Sequence, residues 1–555
     1  MAPETNPNVV AAFRETVARV PSKTALVIDH GGSVETSTFS ELWDRVDRVS
    51  AGLVRCGFGP GERAIIMVPL SVDLYAVLTG VLKMGGVAVF VSPWMSPEHI
   101  ASSADLASAD AYIGSGKSQL LRARHAKLRE IPLSVTTGAR FWRVPARLSL
   151  SELRSQPGSG EVERVGASDP ALISFTSGSS DVPKAANRTH DILAGQQKAL
   201  AEEFPLREDD VDMTMFPVFA LNNLANGVTS VVPNMTFGEN ARLDSAGAVA
   251  LMVEHGVTTC SASPPIIDGL AGQLRADPKT RTRLRRVLSG GAPVFDAQLT
   301  SWNESFAGTE VVVAYGSTEA EPVAHIGAEE RLSAASDVRP GSPGLCTGRP
   351  VGRVRTKLIR IHHGPVALES GSWSSWEIPP NEIGELVVAG EHVCRDYYRN
   401  PSATAETKIE DSEGTVWHRM GDTGYFDGGG RFWLAGRVHS TIRRAGGSVH
   451  PQLVEQAALG DGTSVARAAA VGLADARLGE RVVLVLELAH EQKARDGRRV
   501  VGEVERRLAD AELTVDEVIV SDGPLPLDRR HRAKIDYPGL RRSLERGAAR
   551  GEGGS

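Results

Sequence analysis

Between residues 39 and 91 helical and strand-like hydrophobic patterns alternate, and that alternation restricts the fold more than any other feature of the chain. Leu42, Val46, Val49, Leu53 and Cys56 recur at helical spacing, and the turn Gly57-Phe58-Gly59-Pro60-Gly61 stops the run. Residues 64–68 read as a short buried strand, 72–84 as a second helix and 87–91 as a second strand. Parallel neighbours need a crossover, and a helix between two strands supplies it, so this succession predicts α/β layers with parallel sheet. The texture returns at residues 227–232 and 311–315. The most apolar long window, 73–91, is interrupted by Lys83 and the pair Gly85-Gly86. It reads as a helix leading into a buried strand, not as a membrane span.

At 555 residues the chain exceeds one hydrophobic core, and more than one domain is expected. The character changes near residue 436. The run Arg431-Phe432-Trp433-Leu434-Ala435-Gly436-Arg437 ends a strand, and a shorter unit follows with strands at 468–471, 481–488 and 517–520 and a helix at 500–508. We therefore expect a large domain over 1–436, a small α+β domain over 437–541 and a disordered tail over 542–555. A net charge of −7 gives no reason to expect nucleic acid as a partner. The start lacks a basic and an apolar signal region, and the four cysteines are scattered without a CxxC, so a reduced cytoplasmic compartment is expected. No histidine pair has metal-ligand spacing, which argues against a transition-metal site.

The segment Ser174-Phe175-Thr176-Ser177-Gly178-Ser179-Ser180-Asp181-Val182-Pro183-Lys184 gathers hydroxyl side chains around a glycine and closes with a cation. Such a loop can offer O–H and N–H donors and one positive charge to a polyphosphate. Its spacing is not that of a Walker A loop. Further along stand Leu288-Ser289-Gly290-Gly291-Ala292-Pro293, Tyr315-Gly316-Ser317-Thr318-Glu319, Met420-Gly421-Asp422-Thr423-Gly424-Tyr425 and Gly436-Arg437. Taken in this order the segments resemble the acyl-adenylate-forming superfamily, which includes acyl-CoA ligases, luciferases and peptide-synthetase adenylation domains. The resemblance runs from about Phe39 to Leu540.

That resemblance implies a large N-terminal domain of mixed and parallel sheets layered with helices, a small mobile C-terminal domain, and ATP and Mg²⁺ as cofactors. It implies nucleotide binding by Thr176, Ser177, Gly178, Ser179, Ser180, Lys184, Gly291, Ala292, Pro293, Tyr315, Gly316, Ser317, Thr318, Asp422 and Arg437. Tyr315 would stack on adenine, Thr318 would meet the α-phosphate, Glu319 would hold Mg²⁺ and Asp422 would bridge the ribose hydroxyls. Lys534 would be the catalytic lysine that swings in as the carboxylate attacks, alongside Thr176, Thr318 and Glu319. Phe219, Ala220, Leu221, Asn222 and Gly290 would line the substrate pocket, and His439 would lie in the hinge.

Within the superfamily, Phe216-Pro217-Val218-Phe219-Ala220-Leu221, Gly344-Leu345-Cys346-Thr347-Gly348-Arg349-Pro350, His418-Arg419-Met420-Gly421-Asp422 and Arg530-His531-Arg532-Ala533-Lys534-Ile535 look like the β-lactone synthetases of bacterial olefin biosynthesis. This branch implies a small-molecule β-hydroxy acid as substrate, activated as acyl-AMP and closed by its own hydroxyl, with upstream biosynthetic enzymes as candidate contacts. The rival expectation is a ligase passing the same adenylate to coenzyme A or a carrier-protein thiol. Asp181 and Ala185 stand where the superfamily usually has glycine, and His439 where Asp or Lys is common. His190 and His418 are candidates for a base acting on the hydroxyl, each with a structural role as the alternative. Asn222, Asn223 and Asn226 make the stretch after Leu221 polar, which suggests a shorter or more polar acid than a long-chain olefin precursor, unless the asparagines serve the helix itself.

Overall fold

The computed structural model describes residues 6–91, 95–138, 146–176, 184–215, 217–236, 242–334, 344–460, 463–489, 497–527 and 535–551. The elements used below are helices α1 (Val10–Arg19), α2 (Phe39–Arg55), α3 (Val72–Lys83), α4 (His190–Glu203), α5 (Pro217–Asn226), α6 (Pro451–Leu459) and α7 (Tyr537–Gly551). The strands are β1 (Arg63–Met67), β2 (Val87–Phe90), β3 (Pro170–Thr176), β4 (Lys184–Thr189), β5 (Arg286–Gly290), β6 (Glu310–Ser317), β7 (Ala320–Gly327), β8 (Val416–Phe426) and β9 (Phe432–Arg437).

The alternation read from the sequence is present. β1 and β2 pair in parallel, Arg63 opposite Val87, with α3 as the crossover. They belong to a seven-stranded sheet that is parallel until its last pair, β3 and β4, which run antiparallel with Thr176 opposite Lys184. A fourteen-stranded sheet carries β5 and β6 in a parallel half and β7, β8 and β9 in an antiparallel half.

The apolar window is a buried helix. Lys83 at its end is 3% exposed and reaches Asp47 of α2 at 3.0 Å. Gly80 of α3 lets the two helices close: a Cβ there would stand 2.8 Å from Cγ1 of Val49 and 3.1 Å from the carbonyl oxygen of Val46. Among the described residues no helix is long and apolar enough to cross a membrane.

A five-stranded sheet is built from residues 442–520, with α6 and the helix Gly497–Asp510 on one face. α7 covers the other face, where Leu540 and Leu544 pack against Val471, Val483 and Val485. Here the structure corrects the expectation of a disordered tail from 542: helix continues to Gly551, because an apolar stripe on an otherwise charged segment finds a sheet face to bury. The seam between this unit and the rest is polar and apolar together. Thr423 of β8 and His450, before α6, are 3.3 Å apart, and a Cβ on Gly344 would lie 3.3 Å from Leu453.

Candidate adenylate-forming site

Parallel β5 and β6 end side by side, Gly290 opposite Ala314. A Cβ on Gly290 would lie 2.6 Å from the Ala314 carbonyl oxygen, so glycine is what allows the strands this approach. Gly291 is exposed, and Ala292 and Pro293 are half-buried, which leaves a shelf of small residues beyond the strand end. The next strand delivers Tyr315, Gly316 and Ser317, and the turn to β7 carries Thr318 and Glu319.

Tyr315 donates its hydroxyl to Oδ2 of Asp422 at 2.6 Å, and Nε of Arg437 lies 2.9 Å from Oδ1 of the same carboxylate. The pairing of β8 with β9 sets Asp422 opposite Arg437, so these groups meet because the strands do. Burial and the neighbouring Asp422 charge push the Tyr315 phenol well above its ordinary value, so it remains a donor. A carboxylate has roughly four lone-pair sites, and Asp422 can still accept from two hydroxyls. Its environment suits a ribose.

A second cluster surrounds Glu319, which is buried and accepts a 2.7 Å hydrogen bond on Oε1 from Tyr397. The segment bearing Tyr397 is tied to β4 by Asn187 Nδ2 donating to Asp396 at 2.9 Å and by the Tyr398 amide donating to the Ala185 carbonyl at 2.8 Å. Ala185 is itself fully buried against this segment, so the methyl replacing a common glycine is accommodated. Lys184, opposite Thr176, has its ammonium 5.9 Å from the centre of the Tyr397 ring. The two ends of the expected phosphate loop thus stand beside the residue that orients Glu319.

Lys408 lies beneath, 5.4 Å from the same ring, donating to the Cys394 carbonyl and, at 3.0 Å, to Nδ1 of His418. Burial pulls both groups down, and for His418 the adjacent Lys408 charge adds to it. Sequence reasoning missed Tyr397 and Lys408. Tyr397 is separated from Glu319 by 78 positions, and no local spacing announces the pair.

Neither histidine is placed to act as the base. His418 is buried and engaged with Lys408. His190 is fully enclosed, its Nδ1 accepts from the Val9 amide at 3.2 Å, and burial brings it down to about 4. The asparagines divide. Asn223 donates to Asp212 at 2.8 Å and to Ser230 at 3.0 Å under α5, and Asn226 donates to the Asn222 carbonyl at 2.8 Å, so both serve the helix. Of the expected pocket residues, Phe219 packs, as do Leu288 and Ala314, against the cluster of Leu200, Phe204 and Val312, whereas Ala220 is enclosed in the core with Leu224 and Val232. Leu221 and Asn222 line a cleft among helices. His439 is exposed on a single turn between Val438 and Ser440. Ser177, Gly178, Ser179, Ser180, Asp181 and Lys534 lie outside the described residues, as does the side chain of Thr176.

A family model described as AMP-binding enzyme matches residues 13–398. The chain belongs to this family. Among relatives of the AMP-binding enzyme family, an olefin beta-lactone synthetase from Stenotrophomonas maltophilia is 32% identical over 512 residues, covering 90% of each chain. A feruloyl-CoA synthase from Amycolatopsis is 30% identical over 490 residues, covering 86% of this chain and 87% of its own. The fold is shared with ATP-bound MatB from Rhodopseudomonas palustris, at a TM-score of 0.80 and 21% identity over 97% of this chain and 99% of that one.

Proposed function

We propose that the chain activates a β-hydroxy carboxylic acid with ATP and closes it to a β-lactone. The carboxylate oxygen attacks the α-phosphorus and pyrophosphate leaves. The β-hydroxyl oxygen then attacks the acyl carbon, the bond from that carbon to AMP breaks, and the hydroxyl proton is released. The observation that carries the reading is the joining of Tyr315, Asp422 and Arg437 into one hydrogen-bonded group beside the small-residue shelf, in a chain similar over 90% of its length to an olefin beta-lactone synthetase.

In this reading Tyr315 flanks the adenine, Asp422 takes the ribose hydroxyls and Arg437 balances the Asp422 charge. Glu319 is a hard oxygen donor suited to Mg²⁺, one carboxylate with phosphates and water completing its set. When bound, the ion neutralises phosphate charge; Tyr397 keeps Glu319 in one orientation for it. Lys534 supplies a positive charge at the attacked phosphate, and the unit after residue 437 closes over the site to keep water from the adenylate. Ring closure needs the hydroxyl held close to the acyl carbon, a matter of position more than of a strong base.

The test is incubation with ATP, Mg²⁺ and a panel of β-hydroxy acids in the absence of thiol, read by mass spectrometry and NMR. A product lighter than the acid by one water, with AMP and pyrophosphate, is expected. The similarity to feruloyl-CoA synthase sustains one rival, transfer to a thiol. Pyrophosphate exchange without that product, converted to turnover by coenzyme A or a carrier protein, would replace the lactone reading with the rival.

A further inference from the structure

A cleft of about 530 Å³, its solvent-open part included, lies among α1, α3, α4 and α5. Its walls are mostly apolar, with Val10 and Phe13 from α1, Leu82 from α3, and Leu193 from α4. Two buried polar groups also line it. Among the described residues, Oγ1 of Thr79 and Nε2 of Gln196 have no hydrogen-bond partner, although the two residues are only 2% and 3% exposed. The Gln196 oxygen accepts from the Arg188 guanidinium, and this fixes which end of the carboxamide is left without a partner. Leaving such groups unpaired in a core is unfavourable, and a pair of them on one apolar cleft points to a ligand atom that completes them.

The cleft and the proposed acyl site share a wall residue. Leu200 of α4 lines the cleft and also forms, with Phe204 and Val312, the buried cluster against which Phe219, Leu288 and Ala314 pack. We propose that the acyl site opens past Phe219 into this cleft, which takes the far end of the substrate's alkyl chain, where Thr79 and Gln196 hydrogen-bond an oxygen atom carried on that end. This rests on the hydroxy-acid reading above and narrows it to aliphatic acids with an oxygenated tail. It also explains how a pocket can be polar at Asn222, which shares the cleft, while Asn223 and Asn226 are occupied elsewhere.

The experiment is ATP–pyrophosphate exchange by the full chain with β-hydroxy acids of increasing tail length, each with and without a terminal hydroxyl. For plain tails kcat/KM should rise about fourfold per methylene until the tail fills the cleft. At that length a terminal hydroxyl should raise kcat/KM, where in a purely apolar pocket it would lower it. Thr79→Val, nearly isosteric, should cut the ratio of hydroxylated to plain tail about fivefold. Val10→Phe should lower the ratio of long to short tails. Unaltered ratios in both variants, each folded by circular dichroism, would overturn the assignment. Exchange reports adenylation alone, so the two readings separate. Shifted ratios with no lactone formed would sink the lactone reading and keep the tail site, and lactone formed with unshifted ratios would do the reverse.

Discussion

The hydroxyl of Tyr397 and the carboxylate of Glu319 form a contact that determines where one acidic oxygen points. On the Mg²⁺ role proposed for Glu319, removing that contact should weaken metal use without removing the ligand. Tyr397→Phe is expected to raise the Mg²⁺ concentration needed for half-maximal pyrophosphate exchange by about tenfold, within the range typical of groups that orient a metal ligand. The rate at saturating Mg²⁺ should change little, and an unchanged Mg²⁺ titration would remove Tyr397 from the site. Asp422→Asn tests the other cluster. It leaves Arg437 without its partner and gives Tyr315 a weaker acceptor, so the KM for ATP should rise at least tenfold in steady-state assays. Both clusters show what could be read along the chain. Tyr315, Glu319, Asp422 and Arg437 stood out because each sits in a short recognisable run. Tyr397 did not, because its role comes from a strand, β4, that brings distant segments together.

At the level of elements, α6 and α7 are joined by a buried carboxyl. Glu455 accepts from the Ala470 amide at 3.0 Å and from the Tyr537 hydroxyl at 2.7 Å, and burial pushes it up to about 8. The folded state therefore holds a proton that the unfolded chain loses near the ordinary Glu value of about 4.3. The stability this contributes is fully present below that value and is lost as pH rises through about 8. Glu455→Gln should accordingly flatten the fall in Tm between pH 6 and pH 9, as followed by calorimetry; a slope equal to that of the unmodified chain would refute it. Tyr537 directly follows a stem in which Leu527 bridges Ile535 and the Asp536 amide donates to the Pro526 carbonyl at 2.8 Å. In the sequence Lys534 directly precedes Ile535. On the catalytic role proposed for Lys534, truncation after Asp536 should therefore cut adenylation at least tenfold by pyrophosphate exchange while the protein still binds ATP. The early β-α-β run was legible because periodicity and glycine turns are local signals. The length of α7 was not, because its apolar stripe gains meaning only from the sheet face it covers.

Across the whole molecule, the group proposed to take the ribose spans β6, β8 and β9, and its members satisfy one another. Its carboxylate does not wait for a nucleotide to relieve it. ATP arriving there adds ribose hydroxyls to a carboxylate that already has partners, so the calorimetric heat assigned to the sugar should be small, and most affinity should come from base and phosphates. Discrimination follows the same logic. An enzyme that leaves a buried acceptor bare when a hydroxyl is missing rejects the deoxy analogue by several orders of magnitude. In this chain the phenol and the guanidinium keep the Asp422 carboxylate partnered when the 2′-hydroxyl is missing, so 2′-deoxy-ATP should be accepted within about tenfold of ATP. Tolerance toward altered sugars would then be written into the pairing of the strands themselves.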